Sequence, residues 1–153
     1  EQNILDNNLA DRVTLVKAAV YPTDAPTMQL YAGNEIAGET SLYVGEKTYP
    51  TGFSVPILHP KDLPIAEIIK VDTEGAELPI LRVYLAKCRP AVIVAEYHCD
   101  EDRKIFDCIM PDYLLSDGFI GSQDVGVFGY IRRDVVANAK KVSLDEHMEL
   151  TQK

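Results

Sequence analysis

Acidic side chains and a histidine follow two β-rich runs of the sequence, and their types suit them to chemistry. Asp72 and Glu74 come directly after one run, and Glu96 and His98 end the next. Carboxylates and an imidazole that share a crevice are able to hold a divalent metal ion, to position a hydroxyl group or to take a proton from it. A structural role is the alternative, because acidic residues also favour a helix N-terminus and Gly75 permits a tight turn.

The elements that position these residues alternate between strands and helices. The pattern predicts helices over residues 3–9, 75–87, 100–117 and from 143 onward, and strands over residues 12–20, 28–31, 42–44, 53–58, 67–72, 91–96 and within 119–131. Pro111 is expected to kink the helix over 100–117, and Gly118 to end it. Such an alternation is typical of an open, mostly parallel α/β sheet, in which ligands bind beyond the carboxyl ends of the strands. The two acidic segments are therefore expected to lie at one rim.

Composition and charge narrow the classes of partner. The chain has 153 residues, of which 46% are hydrophobic and 25% charged, as in an ordinary globular domain. Its formal net charge of −9 disfavours nucleic acids and anionic membrane surfaces as partners. No apolar run is long enough for a transmembrane helix. Three cysteines without paired spacing predict a reducing compartment, for which we expect the cytoplasm.

The stretch from Lys70 to Leu81 resembles the signature of the FkbM-type methyltransferases, which is a hydrophobic strand followed by D-x-E-G-x-E and an apolar helix. Residues 8–20 and 91–98 are similar to further segments of that family in the same order, so the resemblance extends over about residues 3–131. It implies a class I Rossmann-like α/β fold that transfers a methyl group from S-adenosylmethionine. The acceptor it implies is a hydroxyl oxygen on a sugar, a lipid or a small metabolite.

The resemblance also implies roles for particular residues. The backbone at two alanines is expected near the adenine of the cofactor, and the acidic residues at the methionine and acceptor end. In-line methyl transfer needs alignment and a group that accepts the hydroxyl proton. The catalytic residues implied are Asp72, Glu74, Glu96 and His98, the cofactor-binding residues are Ala18, Ala19 and Asp72, and no metal ligand is implied.

The opening elements of the family fold have no counterpart in this sequence. No glycine-rich turn occurs near the N-terminus, and the first glycine is Gly33. In the family's strand order, 3-2-1-4-5-7-6, the predicted strand over 12–20 is the third and that over 67–72 the fourth. We therefore expect a partial domain, in which residues 1–133 form the C-terminal portion and residues 134–153 a polar tail with a short helix. An upstream segment or a second copy of the chain is expected to complete the sheet.

Two other functions remain open from the sequence. In the first, the chain is a metal-dependent enzyme of another class, with Asp72, Glu74, Glu96 and His98 as ligands. In the second, it is a non-catalytic Rossmann-like module that binds a partner chain through its incomplete sheet.

Overall fold

The computed structural model describes residues 1–32, 40–41, 51–98, 100–120 and 125–139. Within them it is a mixed α/β fold with two sheets. The elements are α1 (Gln2–Asp6), β1 (Ala19–Val20), β2 (Thr27–Ala32), β3 (Thr40–Ser41), β4 (Thr51–Leu58), a 3₁₀ turn (Pro60–Asp62), β5 (Ile68–Val71), α2 (Glu77–Tyr84), β6 (Val92–Tyr97), α3 (Asp100–Ile109), β7 (Tyr113–Ile120), β8 (Gly126–Arg132) and α4 (Arg133–Ala139). None of the helices in these ranges has the length and apolar character needed to cross a membrane.

The first sheet has the order β1-β4-β2-β3, with β1 parallel to β4 and the other pairs antiparallel. The strand predicted over 12–20 is much shorter than expected, because only Ala19 and Val20 pair with β4. The side chains of Val13, Leu15 and Val16 are 41%, 49% and 58% exposed. A β-branched run becomes a strand only where a neighbour takes its backbone hydrogen bonds and covers its side chains. The strand predicted over 42–44 lies outside the described residues.

The second sheet has the order β5-β6-β8-β7 and positions the acidic segments. β5 and β6 are parallel, whereas β8 runs antiparallel to both of its neighbours, β6 and β7. Burial alternates along β6, so that Ile93, Ala95 and Tyr97 are fully buried and Glu96 is half-buried on the opposite face. Together with Leu81 of α2 and Phe106 of α3, these side chains form the centre of one hydrophobic core.

The structure corrects the prediction of one helix over residues 100–117. α3 ends at Ile109, before Pro111, and the following residues form β7, which pairs with β8. Gly118 therefore does not end a helix. It lies opposite Phe128 in the sheet, where a Cβ atom would come within 2.5 Å of the Phe128 ring.

The ends of two helices complete the fold. Pro79 falls in the first turn of α2, where its missing N–H leaves no helical bond unmade. α4 occupies the start of the segment expected to form a polar tail, and the helix expected from residue 143 onward lies outside the described residues.

Candidate functional site

The turn between β5 and α2 is tight and strained. Asp72 follows the last residue of β5, and the chain reverses over Glu74 and Gly75, whose φ angles are 54° and 105°. Positive φ is uncommon for a residue with a side chain such as Glu74, and residues held in such conformations cluster at functional sites. α2 begins two residues after Gly75, at Glu77.

Glu77 holds this turn from inside the protein. Its side chain is fully buried, and its carboxylate accepts hydrogen bonds from Thr73 N (2.6 Å), Thr73 Oγ1 (3.0 Å) and Gly75 N (3.0 Å). A negative charge in the first turn of α2 is also favoured by the helix dipole. Sequence reasoning assigned no role to Glu77. The sequence pattern that could identify Glu77 is an acidic residue in a first helical turn that follows a glycine turn. The N–H groups of such a turn need acceptors.

The end of β6 lies beside this turn, as the sequence predicts. Val71 pairs with Ala95 in parallel register, so that Asp72 and Glu96 follow at neighbouring positions. Lys70 Nζ donates to Asp72 Oδ2, and this bond, helped by a hydrogen bond from Glu96, lowers the pKa of Asp72. The same hydrogen bond to Asp72, with burial, raises the pKa of Glu96. In the pH range between these two pKa values, the pair carries one proton, and Glu96 is the group that holds it.

His98 lies between two carboxylates. Its Nε2 is 3.2 Å from Glu74 Oε2, and its Nδ1 is 3.5 Å from Glu77 Oε1. Nδ1 is buried and makes no hydrogen bond within the described part of the chain, whereas the ring as a whole is 21% exposed. His98 therefore has one edge turned to the interior and the other turned to the open rim.

Four of the residues singled out in the sequence thus lie together, and we call Asp72, Glu74, Glu96 and His98 the acidic rim. The other two are elsewhere. Ala18 and Ala19 are half-buried in and beside β1, in the first sheet, although the residues that follow them, Val20 and Tyr21, pack against the main core.

The chemistry open to the acidic rim is proton transfer and the binding of hydroxyl groups. It offers carboxyl groups whose pKa values are shifted in opposite directions and an imidazole, at the carboxyl ends of two parallel strands. Among the described residues, no three His, Cys, Asp or Glu side chains are arranged to hold a metal ion.

An apolar pocket of about 150 Å³ lies on the other side of β5. Its walls include Leu63, Ile69, Leu81 and Tyr84, and none of the acidic rim lines it. Its single charged wall residue, Lys70, directs its ammonium group to Asp72. The pocket is therefore a packing feature between β5, α2 and the segment before β5 rather than part of the rim.

Comparison with protein families bears on the same region. A family model described as a methyltransferase FkbM domain matches residues 14–120, more than two thirds of the chain. No curated protein and no solved structure gives a significant match. The matched stretch contains both strands that carry the acidic rim and the turn that Glu77 holds.

Proposed function

Because this chain belongs to the FkbM methyltransferase family, we propose that it uses S-adenosylmethionine to methylate a hydroxyl oxygen of a sugar, a lipid or a small metabolite. The observation that carries the proposal is the acidic rim itself. Two adjacent carboxyl groups, whose pKa values are shifted in opposite directions, and an imidazole between two carboxylates lie together at the ends of neighbouring parallel strands. These groups are the kinds that orient a hydroxyl group and accept its proton.

The proposal includes a Rossmann-like sheet. Its support is the strand order β5-β6-β8-β7 with β8 antiparallel, since the expected order of this fold ends in strands 4, 5, 7 and 6. In this assignment β5 and β6 are the fourth and fifth strands, and the acidic rim lies where ligands bind in such sheets.

We further propose that an upstream segment or a second copy of the chain completes this sheet. Within the described residues, β5 pairs on one side only, with β6. Beside that open edge, Ile65 and Ile68 are 79% and 68% exposed. An unpaired edge with exposed apolar side chains favours the addition of another strand. The same edge is the feature that favours the second candidate function, a module that binds a partner chain.

The residues fit the cofactor at its methionine end. Bound S-adenosylmethionine supplies an electrophilic methyl group on a positively charged sulfur. Lys70 keeps the Asp72 carboxylate ionised, and an ionised carboxylate suits the ammonium group of a methionine moiety. In this proposal the half-buried backbone at Ala18 and Ala19 lies beside the adenine.

At the acceptor end, His98 and Glu74 take the proton of the hydroxyl group. His98 Nε2 and Glu74 Oε2 are 3.2 Å apart, so a hydroxyl group placed beside both atoms is within hydrogen-bond reach of each. Glu74 is 41% exposed, so an acceptor can approach its carboxylate from solvent.

The shared proton of Asp72 and Glu96 gives this pair two different hydrogen-bonding roles. A protonated carboxyl group donates and an ionised one accepts. Between the lowered pKa of Asp72 and the raised pKa of Glu96, the pair therefore offers one donor and one acceptor side by side. Such a pair matches adjacent hydroxyl groups, which supports a sugar or another polyol among the three acceptor classes.

A cytoplasmic location completes the proposal. Its support is that Cys88 and Cys108, the cysteines in the described part of the chain, are free thiols.

Isothermal titration of S-adenosylhomocysteine tests the cofactor assignment. The ligand is titrated into this chain and into a version extended upstream in its own reading frame. Binding by the extended version, with or without binding by the chain alone, supports the proposal. Absence of binding by both folded proteins would overturn it and leave the metal-dependent enzyme and the partner-binding module as the remaining functions.

Glu74→Gln in the active enzyme tests the catalytic assignment. The change keeps the size of the side chain and removes its basicity, so we expect kcat to fall about 100-fold or more while the fold survives. Glu101→Gln is the matched control, since Glu101 is an exposed acid on α3 that is not part of the acidic rim. Initial rates of methyl transfer measure both variants, and circular dichroism checks their folding. Wild-type turnover in Glu74→Gln would show that Glu74 has no role in proton transfer.

A further inference from the structure

We propose that Glu77 is a positioning residue that keeps a proton on Nδ1 of His98, so that the Nε2 lone pair faces the acceptor hydroxyl. The catalytic meaning of this arrangement rests on the proposed function, but the position of the proton does not. It is a property of the folded chain in the absence of cofactor and acceptor.

The first step of the argument is the state of the Glu77 carboxylate. Both of its oxygens accept hydrogen bonds, from the backbone N–H groups of Thr73 and Gly75 and from the Thr73 hydroxyl. Every one of these bonds is accepted and none is donated, an arrangement that suits the ionised carboxylate. Since the side chain is fully buried, no water screens its charge.

The second step is what this charge does to the histidine. Nδ1 of His98 lies 3.5 Å from Glu77 Oε1, is itself buried, and has no hydrogen-bond partner among the described residues. At 3.5 Å the contact is long for a hydrogen bond, so its effect is mainly electrostatic. An N–H group facing the carboxylate is attracted to it, whereas a nitrogen lone pair in the same place is repelled. The charge on Glu77 therefore favours the proton on Nδ1.

Glu74 has the opposite effect on the tautomer of His98, because its carboxylate lies 3.2 Å from Nε2 and favours a proton there. Its side chain, however, is 41% exposed, against 0% for Glu77. Water screens an exposed charge much more strongly than a buried one, so the more distant Glu77 dominates. The proton is thereby fixed on Nδ1, at the interior edge of the ring. Nε2, at the rim edge, can then bind a hydroxyl group in place of Glu74.

Nitrogen-15 NMR of the imidazoles measures this tautomer directly. Spectra are recorded at about pH 9, where an ordinary imidazole is neutral. For His98 in the wild-type chain we expect a protonated Nδ1 and an unprotonated Nε2. His59 serves as an internal reference, because its Nδ1 accepts a hydrogen bond from Lys61 N and its proton must be on Nε2.

Glu77→Gln removes the charge with little change in size. Because the attraction of a buried full charge is worth about tenfold or more in such an equilibrium, we expect the Nδ1–H to Nε2–H ratio of His98 to fall by about that factor. Thr73→Val is the matched control. It removes the hydroxyl bond to Glu77 and disturbs the same turn, but leaves the carboxylate facing His98, so the ratio should stay within about twofold of wild type.

A mainly structural role for Glu77 predicts a different pattern. In that case Glu77→Gln and Thr73→Val both lower stability, and neither changes the tautomer ratio. A wild-type spectrum with the proton on Nε2, or an unchanged ratio in folded Glu77→Gln, would overturn the inference. If Glu77→Gln does not fold, Glu77→Asp replaces it; this change withdraws the carboxylate from the ring and must lower the ratio in the same direction. All of these results are independent of cofactor binding.

Discussion

Gly75→Ala is the substitution whose cost follows most directly from the geometry of the site. Gly75 has a φ of 105°, and its N–H donates to the buried Glu77 carboxylate at 3.0 Å. If alanine keeps this conformation, the backbone strain costs about 1–3 kcal/mol. If the backbone relaxes to negative φ, the N–H turns away and a charged hydrogen bond of about 1.5–3 kcal/mol is lost. By either route we expect the free energy of unfolding to fall by about 1–3 kcal/mol, and the melting temperature by about 2–12 °C.

Urea denaturation of Gly75→Ala beside Gly52→Ala measures this cost. Gly52 is exposed in the extended backbone of β4, where alanine fits without strain. Both substitutions reduce the entropy of the unfolded chain equally, so their difference isolates the effect on the folded state. Equal stability of the two variants would refute the reasoning, since it would mean that neither the φ angle nor the bond to Glu77 matters.

Two further predictions concern the sheet and the proton that the rim shares. Gly118→Ala places a Cβ atom 2.5 Å from the Phe128 ring, which is packed against other aromatic rings, so thermal unfolding should show a loss of about 1–3 kcal/mol; an unchanged melting temperature would contradict the close approach. The raised pKa of Glu96, above its usual 4.5, stabilises the fold at acidic pH, and this contribution is lost as pH rises through the raised value. The lowered pKa of Asp72, below 3.8, has the opposite sign and is lost as pH falls. Glu96→Gln should therefore abolish the loss of stability above about pH 4.5. Urea titrations from pH 4 to 7 measure this effect, and parallel stability curves of wild type and variant would contradict the shared proton.

The position of the acidic rim was predictable from the sequence because it depends on local patterns and one general rule. A β-rich run ends at Val71 and Asp72, and an apolar run from Ala91 to Ala95 ends at Glu96. Parallel strands bring their carboxyl ends to one edge. Once these two strands are recognised, the proximity of Asp72 to Glu96 follows without any knowledge of the side-chain contacts.

What could not be predicted depends on partners that are distant in the sequence or on turn geometry. The predicted helix extends over residues 113–117 because no glycine or proline lies between Pro111 and Gly118, but the conformation of these residues is decided by pairing with β8, which comes later in the chain. The strand over 12–20 was predicted too long because its β-branched residues do not reveal where a neighbour ends. The role of Glu77 depends on the positive φ angles of Glu74 and Gly75, which direct three donors toward one carboxylate.

The placement of β8 has a consequence for the order in which the protein assembles. β8 is the last strand of its sheet to be synthesised, yet it lies between β6 and β7. While the chain emerges from the ribosome, β7 has no strand to pair with, and β6 has only β5. Residues 126–132 must therefore insert between two strands made earlier, and a nascent chain that stops before residue 126 leaves β7 unattached. The strand that carries Glu96 and His98 thus gains its second neighbour only after nearly the whole described chain has been made.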